Sequence, residues 1–346
     1  MKVGLIGSEM GIHEERFLRM FRDRGAEVTF ISFEQLIKID CSAGNVETEN
    51  GFDLFFGGPL HHGLDIASSI SKVPYVAVSY AFDVLQEAAV NAEAAASVRS
   101  MLDLCDGLLV DCKAVIQCAR ENFRFKGPAI VRPWGLDEFN RSSSGSLKSH
   151  SFSRLGSDSE VWVASMRNFT MTHGVLDVVR AFGEAANQNE RLRLLMVGDG
   201  PLRGEVHDMI NRLGLSERVK ILGKVSEGEI SHLLEQVDIY VSASIVDGTS
   251  ISLLQALAAG LPVLLSDVGG NPEWVDRCEG AYLFESGNEH HLAKLILDEA
   301  DRESLCPYDR SQILEEYADW NQNADDIFEF CQQVIREQKI SHQSAI

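Results

Sequence analysis

The chain has 346 residues, 45% of them hydrophobic and 24% charged, which is long enough for two ordinary domains and excludes wholesale disorder or a fibrous repeat. Acidic residues outnumber basic ones 52 to 31, for a formal charge of −21. That balance argues against a nucleic-acid binder, which needs a concentrated basic face, and less firmly against tight adsorption to an anionic membrane. In chain order, apolar runs alternate with helical stretches almost from end to end, the pattern of parallel sheets with crossover helices. Strands are predicted at Lys2–Ile6, Glu27–Ile31, Leu54–Phe56, Tyr75–Ser79, Gly107–Val110 and Ala129–Val131, with helices such as His13–Arg24 and Lys113–Phe123 between them. Residues 141–160, RSSSGSLKSHSFSRLGSDSE, are rich in Ser and Gly and lack periodicity, as a flexible connector should be. Strands resume at Val161–Ser165, Arg193–Val197, Val219–Leu222, Ile239–Val241, Val263–Ser266 and Ala281–Phe284. The accompanying helices are Val175–Gln188, Gly204–Leu213, Glu227–Gln236, Ser252–Ala259 and His290–Asp301.

These elements predict an α/β protein of two Rossmann-like doubly wound domains, 1–140 and 161–310, facing across a cleft, where this architecture binds ligand. A helical, charge-mixed tail, 311–346, carries Tyr317, Trp320, Ile327, Phe328, Phe330 and Val334, which could pack back across the body, and a frayed end. Residues 1–150 hold 15 Lys and Arg against 20 Asp and Glu, and the remainder 16 against 32, so contact with an anionic surface or substrate is more plausible through the first half. The seven cysteines are odd in number and scattered, without CxxC or Cys/His clusters, so neither a disulfide framework nor a zinc site is expected. The apolar run in MKVGLIGSEMG is too short for a secretory signal. Asp247, Gly248, Gly260 and Pro262 break the longest nearly uncharged stretch. The expected setting is the cytoplasm.

The most informative stretch is YVSASIVDGTSISLLQALAAGLPVLLSDVGGNPEWV, Tyr240 to Val275. A strand ends near Ala243, a polar small-residue loop follows, and Ser250 or Ser252 can cap a helix. Free amides and the positive helix end suit an anion such as phosphate. The same pattern also describes an ordinary strand–loop–helix turn whose serines only cap. Asp247 and Gln255, eight positions apart, could point into one cleft.

This stretch resembles the donor-site signature of family-4 retaining glycosyltransferases of the GT-B fold (glycosyl transferases group 1). The matching pieces are Asp247–Gly248, Thr249–Ser250–Ile251, Gln255–Ala256, Gly260–Leu261–Pro262–Val263 and Gly269–Gly270 with Glu273. Gly198–Asp199–Gly200–Pro201, Leu222–Gly223 and Val237–Asp238 match in order, and Pro133–Trp134–Gly135–Leu136–Asp137 through Phe139 looks like the family's link into its second domain. The resemblance implies a hexosyltransferase-like enzyme of the polysaccharide-biosynthesis type, moving a sugar from a nucleotide diphosphate sugar (UDP- or GDP-linked) to a hydroxyl of a glycan, lipid-linked or small-molecule acceptor. It further implies retention of configuration and no metal or other cofactor. Asp247 would contact the transferred sugar, Gln255 the ribose, and the amides of Gly248, Thr249, Ser250 and Ile251 the diphosphate. Gly198 would line the donor site, and backbone near Lys224–Val225 would select the base. Arg167, in SMRNFTMTHG, matches the family's diphosphate-binding arginine and could stabilise the leaving group.

Three positions depart from the family pattern. His173 stands where lysine is common, Gln255 replaces a carboxylate by an amide, and Asp247 is one methylene shorter than glutamate. They leave open a catalytically degenerate nucleotide- or sugar-binding protein; a sugar-nucleotide epimerase of the same fold is disfavoured by the transferase-like pairing of Asp247 and Gln255. In the first half, Gly11 in GSEMG could approach the donor phosphate or the acceptor. This loop is not GxGxxG, which argues against a nicotinamide-dependent dehydrogenase. Tyr80 and Asp83 stand in a segment resembling His-Gly-x-Asp of the family; Asp83 could orient an acceptor hydroxyl or cap a helix. His61–His62 lack suitably spaced partner ligands and read as a solvated loop. Basic residues on two first-half helices allow at most peripheral membrane contact, with an ordinary solvated face preferred.

Overall fold

The computed structural model describes residues 1–38, 51–62, 73–136, 155–157, 159–302 and 307–344. Two units emerge, one of Met1–Trp134 with Trp320–Ile346, the other Gly135–Asp319. The first is built on β1 (Lys2–Gly7), β2 (Glu27–Ser32), β3 (Leu54–Gly57), β4 (Tyr75–Val78), β5 (Gly107–Val110) and β6 (Ala129–Val131), paired in parallel in the order β2-β1-β3-β4-β5-β6. Alternation along each strand feeds two cores. Phe55, Tyr75, Ala77, Leu108 and Val110 pack on one face, and Leu54, Phe56, Val76, Val78 and Leu109 on the other. Covering both faces is why these strands read as continuous apolar runs.

The second unit has β7 (Val161–Met166), β8 (Leu192–Val197), β9 (Val219–Gly223), β10 (Ile239–Ser242), β11 (Val263–Ser266) and β12 (Ala281–Phe284), all parallel, in the order β12-β11-β10-β7-β8-β9. The order reverses between β7 and β10, so helices leaving these neighbouring strands depart to opposite sides and leave a crevice at their carboxyl ends. Val163, Leu194, Met196, Ile239 and Val241 fill one face, with the Val175–Ala186 and Glu289–Ala300 helices; Ala164, Leu195, Tyr240, Val263 and Leu265 fill the other, with the Ile251–Ala258 helix.

The tail is two helices rather than one. Ser311–Ala318 stays with the second unit, while Trp320–Ser344 lies on the first. Asp319 between them forms a parallel bridge to Leu136. The long helix repeats its apolar contacts at Trp320, Ala324, Ile327, Cys331 and Val334, one stripe of a helix, against the Leu54–Phe56 face. A Cβ on Gly107 would lie 2.9 Å from the Phe330 ring, which shows how closely helix and strand approach. Tyr317, grouped above with the residues packing back, instead stays 37% exposed in the second unit, stacked with Arg277 at 4.6 Å. Asp137, Phe139 and most of 141–160 lie outside the described residues. No described helix is long and apolar enough to cross a membrane.

Candidate functional site

The carboxyl ends of β7 and β10 carry the two most informative side chains. Arg167 is the first residue after β7, and Asp247 lies in the loop that follows β10. Arg167 Nη2 stands 2.8 Å from Asp247 Oδ2, and the two side chains are only 9% and 10% exposed. Among the described residues, Asp247 Oδ2 and Arg167 Nε have no aligned hydrogen-bond partner. The contact is thus a close but poorly directed ion pair, leaving bonding capacity on both sides. Burial works to strip the Arg167 proton, but the Asp247 charge and the Tyr240 hydroxyl outweigh it, so its pKa moves up.

The loop between β10 and the next helix is fastened from both sides. Ile245 N–H donates to the Thr172 carbonyl at 2.8 Å, and Gly270 N–H to the Asp247 carbonyl at 3.2 Å. Gly269 has φ +51°, and a Cβ there would fall 1.7 Å from the Asp247 carbonyl oxygen, so the Gly-Gly turn is what lets the two chains meet. Gly248 and Thr249 are buried, and Trp274 Nε1 donates to Thr249 Oγ1 at 3.1 Å. Ser250 is the N-cap: its Oγ accepts from Leu253 N–H at 3.3 Å as Ile251–Ala258 begins. Ser250, Ile251 and Ser252 remain partly exposed, so the helix start is open rather than sealed in packing. Gln255, one turn in, is 4% exposed and already engaged within the protein.

His173 closes a short 3-10 turn after β7. Its Nδ1 lies 3.0 Å from the Asn168 carbonyl and 2.8 Å from Thr170 Oγ1. Burial, then the nearby Arg167 charge, pull its pKa down to about 4, against the opposing effect of Asp247. Gly198 follows β8 at φ +136°, where a Cβ would sit 2.1 Å from the Arg167 carbonyl oxygen. Val225 lies just past β9, partly buried beside exposed Lys224. Asp247, Arg167, Gly198 and Val225 therefore follow four adjacent strands, β10-β7-β8-β9.

Sequence reasoning passed over Tyr240 as a strand residue. Its side chain lies in the core, but the hydroxyl emerges at the helix start, 2.8 Å from Ser252 Oγ and against the Arg167 guanidinium. Burial, opposed by Arg167, raises its pKa, so it stays a neutral hydroxyl. The available signal was a phenol inside an apolar strand, because a buried tyrosine tip needs a polar partner.

In the first unit, Gly11 and Tyr80 meet through Glu14. Gly11 N–H donates to Glu14 Oε2 at 3.1 Å, and Tyr80 Oη to Glu14 Oε1 at 2.8 Å. Asp83 points inward. Ser79 Oγ (2.6 Å) and Val84 N–H (3.0 Å) donate to its Oδ1, and Leu60 N–H (2.9 Å) to its Oδ2. Burial raises its pKa against these hydrogen bonds. This geometry makes Asp83 a brace between the ends of β3 and β4. His61 lies edge-on to Phe82 at 5.4 Å, the His62 side chain is outside the described residues, and no cluster of three His, Cys, Asp or Glu suited to a metal occurs among those described.

The family model for glycosyl transferases group 1 matches residues 149–324, just over half of the chain and nearly all of the unit that holds Arg167 and Asp247. The chain belongs to the glycosyl transferases group 1 family. This group 1 chain is 30% identical over 165 residues to N-acetyl-alpha-D-glucosaminyl L-malate synthase of Bacillus anthracis, a match covering 46% of the chain and 42% of that protein. It is 24% identical over 210 residues to alpha-monoglucosyldiacylglycerol synthase of Streptococcus pneumoniae, covering 58% and 46%. The chain thus spans under half the length of these two curated relatives. Its fold is that of sucrose-phosphate synthase from Thermosynechococcus elongatus (TM-score 0.76, 15% identity, 97% of this chain and 100% of that one). It also matches Anabaena HepE in complex with UDP and glucose (TM-score 0.75, 17% identity, 96% and 100%). The architecture is GT-B, with two parallel six-stranded α/β units.

Proposed function

We propose that this protein transfers a sugar from a nucleotide diphosphate sugar to an acceptor hydroxyl, with retention of configuration and without a metal ion. The observation that carries the reading is Arg167 and Asp247 paired at the β7/β10 switch point, beside an open, serine-capped helix start. Strands lie ~4.8 Å apart, so the row from β10 to β9 spans about 14 Å. That length accommodates a sugar beside Asp247, a diphosphate between Arg167 and the first amides of the Ile251–Ala258 helix, and a base near Val225. The anion would draw Arg167 off Asp247, freeing the carboxylate to accept from a sugar hydroxyl. Guanidinium and helix-start amides would then stabilise the charge that builds on the departing diphosphate, the work a cation does elsewhere. In a retaining transfer the acceptor oxygen bonds to the anomeric carbon on the face the diphosphate leaves, and the hydroxyl proton passes to a phosphate oxygen.

In the first unit, the Gly11–Glu14–Tyr80 group is the acceptor-side candidate; Asp83, consumed by three internal hydrogen bonds, supports it from beneath. The acceptor would present a hydroxyl on a glycan, a lipid-linked compound or a small molecule. A second reading, a nucleotide-sugar binding protein without turnover, draws on the buried, engaged Gln255, which has little freedom to reach a ribose. Incubation with UDP-, GDP- and ADP-sugars and a panel of acceptors separates the two. Release of nucleoside diphosphate supports transfer, saturable binding without release supports the second reading, and no binding removes both.

A further inference from the structure

The family's lysine is replaced here by a side chain whose hydrogen-bonding face is already decided. The Asn168 carbonyl, 3.0 Å from His173 Nδ1, can only accept. A lone pair on Nδ1 would face that oxygen lone pair to lone pair, so the ring proton belongs on Nδ1, with Thr170 Oγ1 at 2.8 Å sharing it. A neutral ring in this setting has only a lone pair left, on Nε2. That lone pair repels a phosphate oxygen; only the imidazolium has an Nε2–H to donate. The charged groups facing the ring are Arg167, at the end of β7, and Asp247, in the loop after β10, and these two are paired with each other.

We propose that binding of the donor diphosphate is coupled to uptake of one proton by His173, so that the ring becomes the second cation on the phosphates only when they arrive. The inference rests on the sugar-transfer reading and deepens it. Burial and the Arg167 charge keep the ring neutral, with its pKa down to about 4. A diphosphate brings negative charge to both Arg167 and His173 and reverses the second of those effects. Because the bound pKa is then above the free one, affinity is greatest at low pH and declines as pH rises towards and through the bound value. The site would thus bind donor more weakly in alkaline conditions than a lysine-bearing site, which keeps its charge.

The probe is UDP-glucose, or GDP-mannose if the donor screen selects guanosine, since a diphosphate diester has no proton of its own that titrates near neutrality. Calorimetry at pH 6.5 in buffers of differing ionisation enthalpy counts protons, and titrations at pH 6, 7 and 8 give the affinity. For a bound pKa near 7, the dissociation constant rises about tenfold from pH 6 to pH 8. His173→Lys is expected to bind with no proton uptake and a flat profile, and His173→Gln to be flat and weaker at pH 6. Binding by the native protein with a flat profile and no uptake overturns the inference, as does uptake that survives in His173→Gln. Failure of both the native protein and His173→Lys to bind any nucleotide sugar overturns the sugar-transfer reading along with it, an outcome distinct from binding without a proton.

Discussion

Replacing Asp247 by asparagine should make UDP bind more tightly while stopping sugar transfer. The Asp247 carboxylate holds the guanidinium of Arg167 at 2.8 Å, with both side chains about nine-tenths buried. An incoming diphosphate must compete with that carboxylate for the same cation. Coulomb attraction at this separation, with an effective dielectric near 20, is about 6 kcal/mol as an upper bound. Desolvating two ions offsets several kcal/mol of it, and the absence of an aligned hydrogen bond on Asp247 Oδ2 lowers it further. A net coupling of about 1–2 kcal/mol remains, which corresponds to roughly 5- to 30-fold in affinity. UDP is the correct probe because it lacks the sugar that Asp247 would also hold. The same change leaves Arg167 buried without its counter-charge, so unliganded Asp247→Asn melts at lower temperature and UDP raises its melting point by more than it raises the native protein's. Isothermal titration and thermal melts check both halves. Weaker or unchanged UDP binding in Asp247→Asn would refute the competition, and with it the idea that Arg167 is shared between acid and phosphate.

Three further outcomes follow from the geometry. Tyr240→Phe removes the hydroxyl between Ser252 and Arg167, costs about 1 kcal/mol of stability, and weakens UDP binding several-fold; because the phenol acts through the guanidinium, the effect vanishes in an Arg167→Ala background, which a double-mutant cycle reads directly. Gly269→Ala places a Cβ against the Asp247 carbonyl at positive φ; the strain should cost about 1–3 kcal/mol or more and displace the loop, lowering both melting temperature and UDP affinity. Asp83→Asn cannot satisfy all three donors that now converge on the carboxylate and should destabilise the first unit by about 1–3 kcal/mol, seen as a lower denaturant midpoint, while UDP affinity in the other unit stays as it was. A stable Asp83→Asn protein with a specific loss of acceptor binding would restore the acceptor role expected from its position in the chain.

The strands were legible because their determinants are local. Val3, Leu5 and Ile6, or Val161 and Val163, are buried on both faces of a parallel sheet, and such runs are recognisable without knowing their neighbours. The loop between β10 and the Ile251–Ala258 helix was legible for a similar reason: Gly269, Ser250 and Pro262 mark turns and caps by their own backbone chemistry. Asp83 was ambiguous, since a residue following a strand can cap, bind or brace, and only the positions of Leu60 and Ser79 decide among these.

By itself, the sequence determined the periodicities, the alternation of strand and helix, and the places where glycine and serine bend the chain, all set by steric and hydrogen-bonding preferences within a few residues. Tertiary structure alone decided what those segments meet. It set β10 beside β7, brought Arg167 against Asp247 from eighty positions away, gave Tyr240 its polar partners, and sent Trp320–Ser344 to the first unit. Each of these depends on packing between distant segments, where burial makes an unpaired charge or hydroxyl costly enough to select one partner over another.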